Sequence, residues 1–148
     1  MAIGSELDTF FKIYCGFNLN GSGKTIVDYT QYIMSEYSKI TEQEVGIYNT
    51  DIVLTPYEEW NQCNPRLSWW KSYNDVKHNR QENITKASLE NVVTALAALY
   101  LIEMKYLQMI TKETNEPDEP GKDSNLFVLT NWKFNLTIVD DMCDKIGF

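Results

Sequence analysis

Between Val92 and Ile102 the chain reads Val-Val-Thr-Ala-Leu-Ala-Ala-Leu-Tyr-Leu-Ile, an apolar run interrupted by Thr94. It lies in a stretch from about Thr85 to Lys112 whose pattern predicts one long helix. A helix that is apolar almost all round has no face to give to water, so it must sit among partners. Ala95, Ala97 and Ala98 would let those partners approach closely. These residues predict a mainly α fold: a single domain, residues 1–148, with a helical bundle around one long central helix.

The flanking segments supply the partners. Leu7, Phe10, Phe11 and Tyr14 fall on one helical face, with Ser5 and Asp8 placed to cap the start and Gly16 to end it. Ile26, Tyr29, Ile33, Tyr37 and Ile40 repeat at helical spacing from Thr25 to Ile40. Residues 45–54 are weakly strand-like, Val45 to Tyr48 and Asp51 to Leu54 around Asn49-Thr50, and read as a short hairpin or an irregular loop. Thr55-Pro56-Tyr57-Glu58 opens a helix that must end before Asn64-Pro65. Another helix runs from Ser68 to about Asn79. Residues 113–124 read as a flexible acidic loop, and alternation of Trp132, Phe134, Leu136 and Ile138 predicts a strand near 132–139.

At 148 residues the chain buries about two-thirds of its unfolded surface, enough for a core without staples. Its three cysteines show no Cys-x-x-Cys spacing, so no disulfide framework, metal site or cofactor is expected. The first residues lack the basic-then-apolar pattern of a signal peptide, and the uninterrupted apolar run is shorter than the ~20 residues of a bilayer span. A cytoplasmic protein with no membrane association is the expectation, and the sequons at Asn83 and Asn135 are read as unused.

The net charge of −8 disfavours nucleic-acid binding across the whole surface. The charge is uneven, however. From Arg66 to Lys86 the chain holds Arg66, Lys71, Lys77, Arg80 and Lys86 against Asp75 and Glu82. Such a strip can receive a phosphate; it can equally be a solvated helix face.

Two motifs compete for a chemical reading. Gly21-Ser22-Gly23-Lys24-Thr25 imitates a phosphate-binding loop opening a helix, but the position five before Gly23, where the pattern requires glycine, is Asn18. A flexible loop with Thr25 as helix cap is the better reading. In Trp69-Trp70-Lys71-Ser72-Tyr73-Asn74-Asp75-Val76-Lys77-His78-Asn79-Arg80, helical spacing puts Trp70, Asn74 and His78 on one face with Lys71 beside them. Tyr73, Lys77 and Arg80 share an adjacent face. His78 is the chain's one histidine and exchanges a proton near neutral pH. With Asn74 to orient a phosphate or ribose hydroxyl, and a cation to stabilise a phosphoryl oxygen, the set suffices for metal-free RNA cleavage. The alternative is structural: the tryptophans anchor the helix and His78 closes its C-terminus.

The stretch from Ser68 through Leu101 resembles bacterial HEPN-type helical domains, found in toxin–antitoxin, abortive-infection and other phage-defence systems. The resemblance implies a helical bundle that dimerises. Active members cleave RNA without a metal, using sites from two protomers, while others only bind. Their signature is Arg, often followed by Asn, then about three residues and His. Asn74 and His78 match it; Tyr73 stands where the Arg belongs, leaving Arg80 or Lys71 to supply the cation. On this basis His78, Asn74 and Arg80 are the expected catalytic residues, and Lys71, Tyr73 and Lys77 the expected RNA-binding ones. The expected protein is a homodimeric ribonuclease, and the resemblance implies an antitoxin or other protein partner. The competing expectations are a degenerate module that binds a partner protein or nucleotide, and a helical protein with a structural role alone.

Overall fold

A computed structural model describes residues 2–21, 23–63, 65–114 and 124–130, with only the backbone course described for 111–114. The strand expected at 132–139 and most of the 113–124 loop lie outside these residues. The chain is mainly α with a minor three-stranded sheet.

Helix α1 spans Ala2–Tyr14 and buries Leu7, Phe11 and Tyr14. It starts earlier than the Ser5 cap predicted. The Ser5 carbonyl accepts from Thr9 Oγ1, and Asp8 pairs with Lys12 at 2.9 Å and accepts from Tyr29 Oη at 2.9 Å. Asp8 therefore ties two helices together instead of capping one. The helix stops where Gly16 takes φ +66, with Phe17 N donating to Lys12 O and Gly16 N to Ile13 O. That bond pair satisfies two of the last free carbonyls, and a left-handed residue makes it.

Helix α2, Ile26–Glu36, begins at the predicted Thr25 cap, where Asp28 Oδ2 accepts from Thr25 N at 2.7 Å. It ends four residues before Ile40, because Tyr37 leaves helical geometry at φ −147. A 3₁₀ turn over Ser38–Glu42 follows and still buries Ile40, so the apolar face continues although the helix does not.

Strands β1 (Val45–Ile47) and β2 (Val53–Leu54) form the expected hairpin, with Asn49 at φ 58 in its turn. The other edge of β1 pairs antiparallel with β3 (Phe127–Leu129), a strand the sequence pattern did not indicate. Thr55-Pro56 opens only a 3₁₀ turn, Glu58–Asn61. Pro56 O accepts from Trp69 Nε1 at 2.8 Å, which fixes that turn against the next helix.

Helix α3, Ser68–His78, buries Trp69, Trp70 and Val76. Its first turn is capped from a distance: Glu59 Oε2 accepts from Ser68 N at 2.6 Å. The break at Asn79 (φ −144) separates α3 from the short α4, Arg80–Asn83. A 3₁₀ turn over Ile84–Lys86 leads to α5, Leu89–Thr114, whose first turn Ser88 Oγ caps by accepting from Asn91 N. Thr85 thus precedes the long helix by four residues.

Helix α5 packs along α1 and α3 and touches β3. Ala97, Ala98, Leu101 and Ile102 are fully buried, whereas Val93, Leu96, Leu99 and Tyr100 are half-buried and Leu89 is 78% exposed. The helix therefore presents one buried stripe, and among the described residues it is not enclosed on every side. Leu89–Ile110 is also long and apolar enough to cross a membrane by length and composition, a property core helices share. This corrects the shorter estimate from uninterrupted residues alone. The aromatic core centres on Phe11, which stacks on Tyr29 at 5.2 Å and meets Trp70 edge-on at 5.7 Å.

Candidate anion-binding cleft

Three of the six residues singled out between Lys71 and Arg80 meet in one place. Tyr73, Asn74 and Lys77, with Trp70, line a cleft of about 360 Å³ whose far side is Lys24, Thr25 and Ile26 at the start of α2, with Asp8 of α1. Tyr73 and Lys77 stand one turn apart, the Lys77 Nζ lying 5.7 Å from the Tyr73 ring centre. Asn74 donates one amide N–H to Trp70 O at 3.2 Å, which sets the orientation of its carboxamide.

The opposite wall comes from the loop that imitates a phosphate-binding loop. Its shape is made by Asn18, whose Oδ1 accepts from Asn20 N and whose carbonyl accepts from Gly21 N. The segment leading into it leaves the end of α1 and no strand, so the nucleoside-triphosphatase geometry is absent here. Asp28 already occupies the start of α2, and its bond from the Thr25 backbone holds its carboxyl below the usual carboxylate range, helped by Lys24 nearby. Lys24 Nζ itself rests 4.6 Å over the Phe17 ring.

The charges across the cleft do not cancel. Among the described residues neither Lys24 nor Lys77 has a carboxylate in ion-pair contact. Asp8, the acid in the cleft wall, is held by Lys12 and by the Tyr29 hydroxyl. The result is two ammonium groups and the Asn74 carboxamide around a polar hollow, while the Thr25 hydroxyl donates to Asp28 Oδ2 at 3.1 Å.

The other three candidates lie elsewhere. Lys71 pairs with Asp75 Oδ2 at 3.0 Å, and Lys86 reaches the same oxygen at 2.7 Å. These two lysines hold the Asp75 carboxyl below its usual range, Lys86 contributing more. His78 is exposed one turn beyond Asn74, and among the described residues no group hydrogen-bonds its imidazole. Arg80 falls beyond the break at Asn79, so it does not continue the Tyr73–Lys77 face into the cleft; it lines a separate pocket. The basic strip from Arg66 to Lys86 is therefore split between sites and is not one surface.

Lys24, Thr25 and Asp8 were not anticipated as partners of α3. The Lys24-Thr25 pair at a helix start was visible in the sequence, but its apposition to Asn74 and Lys77 is a tertiary fact. No protein-family model, curated protein or solved structure matches this chain.

Proposed function

We propose that this chain is a HEPN-like helical module that binds the phosphate of a nucleotide or RNA strand in the cleft between α3 and the start of α2. One observation carries the reading: Lys24 and Lys77, from two different elements, line the same hollow with no carboxylate in ion-pair contact among the described residues, while its wall acid is already engaged. Such cations attract a phosphate, and the second amide N–H of Asn74, the first being given to Trp70 O, supplies a directional hydrogen bond to it. The arrangement favours binding over catalysis. Among the described residues the imidazole of His78 has no orienting partner, Tyr73 stands at the signature Arg position, and Arg80 lines another pocket.

The test is titration with adenosine monophosphate and a short labelled single-stranded RNA at several salt concentrations. Lys24→Ala or Lys77→Ala is expected to weaken binding about tenfold each. Each should also reduce the salt slope of the RNA affinity by about 0.7. Affinities unchanged in both variants would refute the reading.

A metal-independent ribonuclease is the second reading. It is favoured by the exposure of His78 one turn from Asn74, outside the cleft wall, which leaves the imidazole open to an RNA strand that extends beyond the cleft. RNA cleavage in EDTA by the native chain, lost in His78→Ala, would establish it. In the same reading the chain dimerises so that two clefts act on one RNA, and an antitoxin or other protein partner restrains it; a monomer with full activity would count against this.

A further inference from the structure

On the other side of Tyr73 lies a second hollow, a half-open pocket between α1, α3, the α4 region and the start of α5. Its volume is about 170 Å³, and Ile3, Leu7, Val76, Ile84, Val92 and Ala95 give it apolar walls. A cavity of about 150 Å³ with aliphatic walls holds a benzene molecule, so this one accommodates a single ring or a short branched alkyl group.

Its polar groups are largely committed. Asn91 Nδ2 donates to Ser72 Oγ at 3.1 Å and to Lys86 O at 2.9 Å, and the Lys86 ammonium is held by Asp75 at 2.7 Å. Arg80 is the exception: among the described residues its guanidinium makes no hydrogen bond or ion pair. An exposed planar cation with free donors therefore stands beside an apolar hollow the size of one ring. A guanidinium fork matches a carboxylate bidentately.

We propose that this pocket binds a small aromatic or branched-chain carboxylate, the apolar group seated between α1 and α5 and the carboxylate on Arg80. The site is distinct from the phosphate cleft and does not depend on that reading. Clefts between helices of a bundle, apolar with one or two directional polar groups, are where such ligands bind.

The experiment is calorimetric or NMR titration of the full chain with phenylacetate and its neutral counterpart 2-phenylethanol. Saturable binding of phenylacetate is expected. Arg80→Gln should weaken phenylacetate about tenfold and leave 2-phenylethanol unchanged. Val92→Trp, placed at a half-open wall position to fill the hollow, should abolish both. Lys24→Ala, in the other cleft, should bind phenylacetate as the native chain does. The proposal is overturned by absence of binding to the native chain, by equal affinity in Arg80→Gln, or by retained binding in a folded Val92→Trp. Loss of phenylacetate binding in Lys24→Ala would place the ligand in the phosphate cleft and overturn it as well.

Discussion

The hydroxyl of Tyr57 donates to the backbone carbonyl of Ala98 at 2.9 Å, both groups buried and 41 residues apart. This bond pins the segment after the hairpin to the middle of α5. Burial raises the Tyr57 hydroxyl well above its ordinary pKa, so it remains a donor throughout the neutral range. Tyr57→Phe should lower stability by about 1 kcal/mol through loss of the bond. The melting temperature should fall by about 2–4 °C. Thermal denaturation of the variant checks this, and an unchanged melting temperature would show that the bond contributes nothing net.

Alkaline pH should unfold the protein progressively. Burial raises the Cys15 thiol from 9.0 to about 12, and burial with the neighbouring Cys15 raises Tyr14 from 10.0 to about 12. In the unfolded chain both groups ionise at their ordinary values, while the folded chain keeps them protonated. Their contribution is therefore complete below about pH 9 and is lost as the pH rises from there towards about 12. Urea midpoints measured across this window should fall, and Tyr14→Phe should flatten the part above about pH 10.

The distant cap of α3 offers a third check. Leu67 precedes the helix and has no side-chain oxygen, so Glu59 accepts the Ser68 amide in its place. Glu59→Ala should cost about 1 kcal/mol, the usual loss when a helix cap is removed. A urea midpoint equal to that of the native chain would contradict the assignment.

Gly4 is needed for its lack of a side chain, not for its backbone angles. It is buried on α1 against the Tyr73 ring, and a Cβ added there would run into that ring. Gly4→Ala should cost about 1–3 kcal/mol by overpacking. Because Tyr73 lines the anion cleft, the same variant should also weaken phosphate binding. Denaturation and titration of one sample test both effects.

The sequence made the helices legible where a periodic apolar face coincided with a local stop or start signal. Gly16 and Thr25 lie at element ends as their chemistry predicts. It misled where a polar residue serves tertiary structure: Asp8 looks like a cap and is instead the link to Tyr29. Strand β3 was hidden because three residues are too few to show a period, and only pairing with β1 defines them. The candidate site was half visible. Tyr73, Asn74 and Lys77 converge by helical spacing alone, whereas Arg80 leaves their face because Asn79 breaks the helix. The contribution of Lys24 could not be read from local sequence, since it depends on how α1 and α2 fold back onto α3.

The central claim is that phosphate lodges between Lys24 and Lys77. Titrating isotopically labelled protein with adenosine monophosphate and following the Thr25 backbone amide together with the Asn74 side-chain amide tests it most directly. Saturable movement of both signals with one common dissociation constant, lost in the Lys24→Ala/Lys77→Ala double variant, is the predicted result. Static signals at Thr25 and Asn74, or shifts confined to the Lys71–Asp75–Lys86 side of α3, would contradict it.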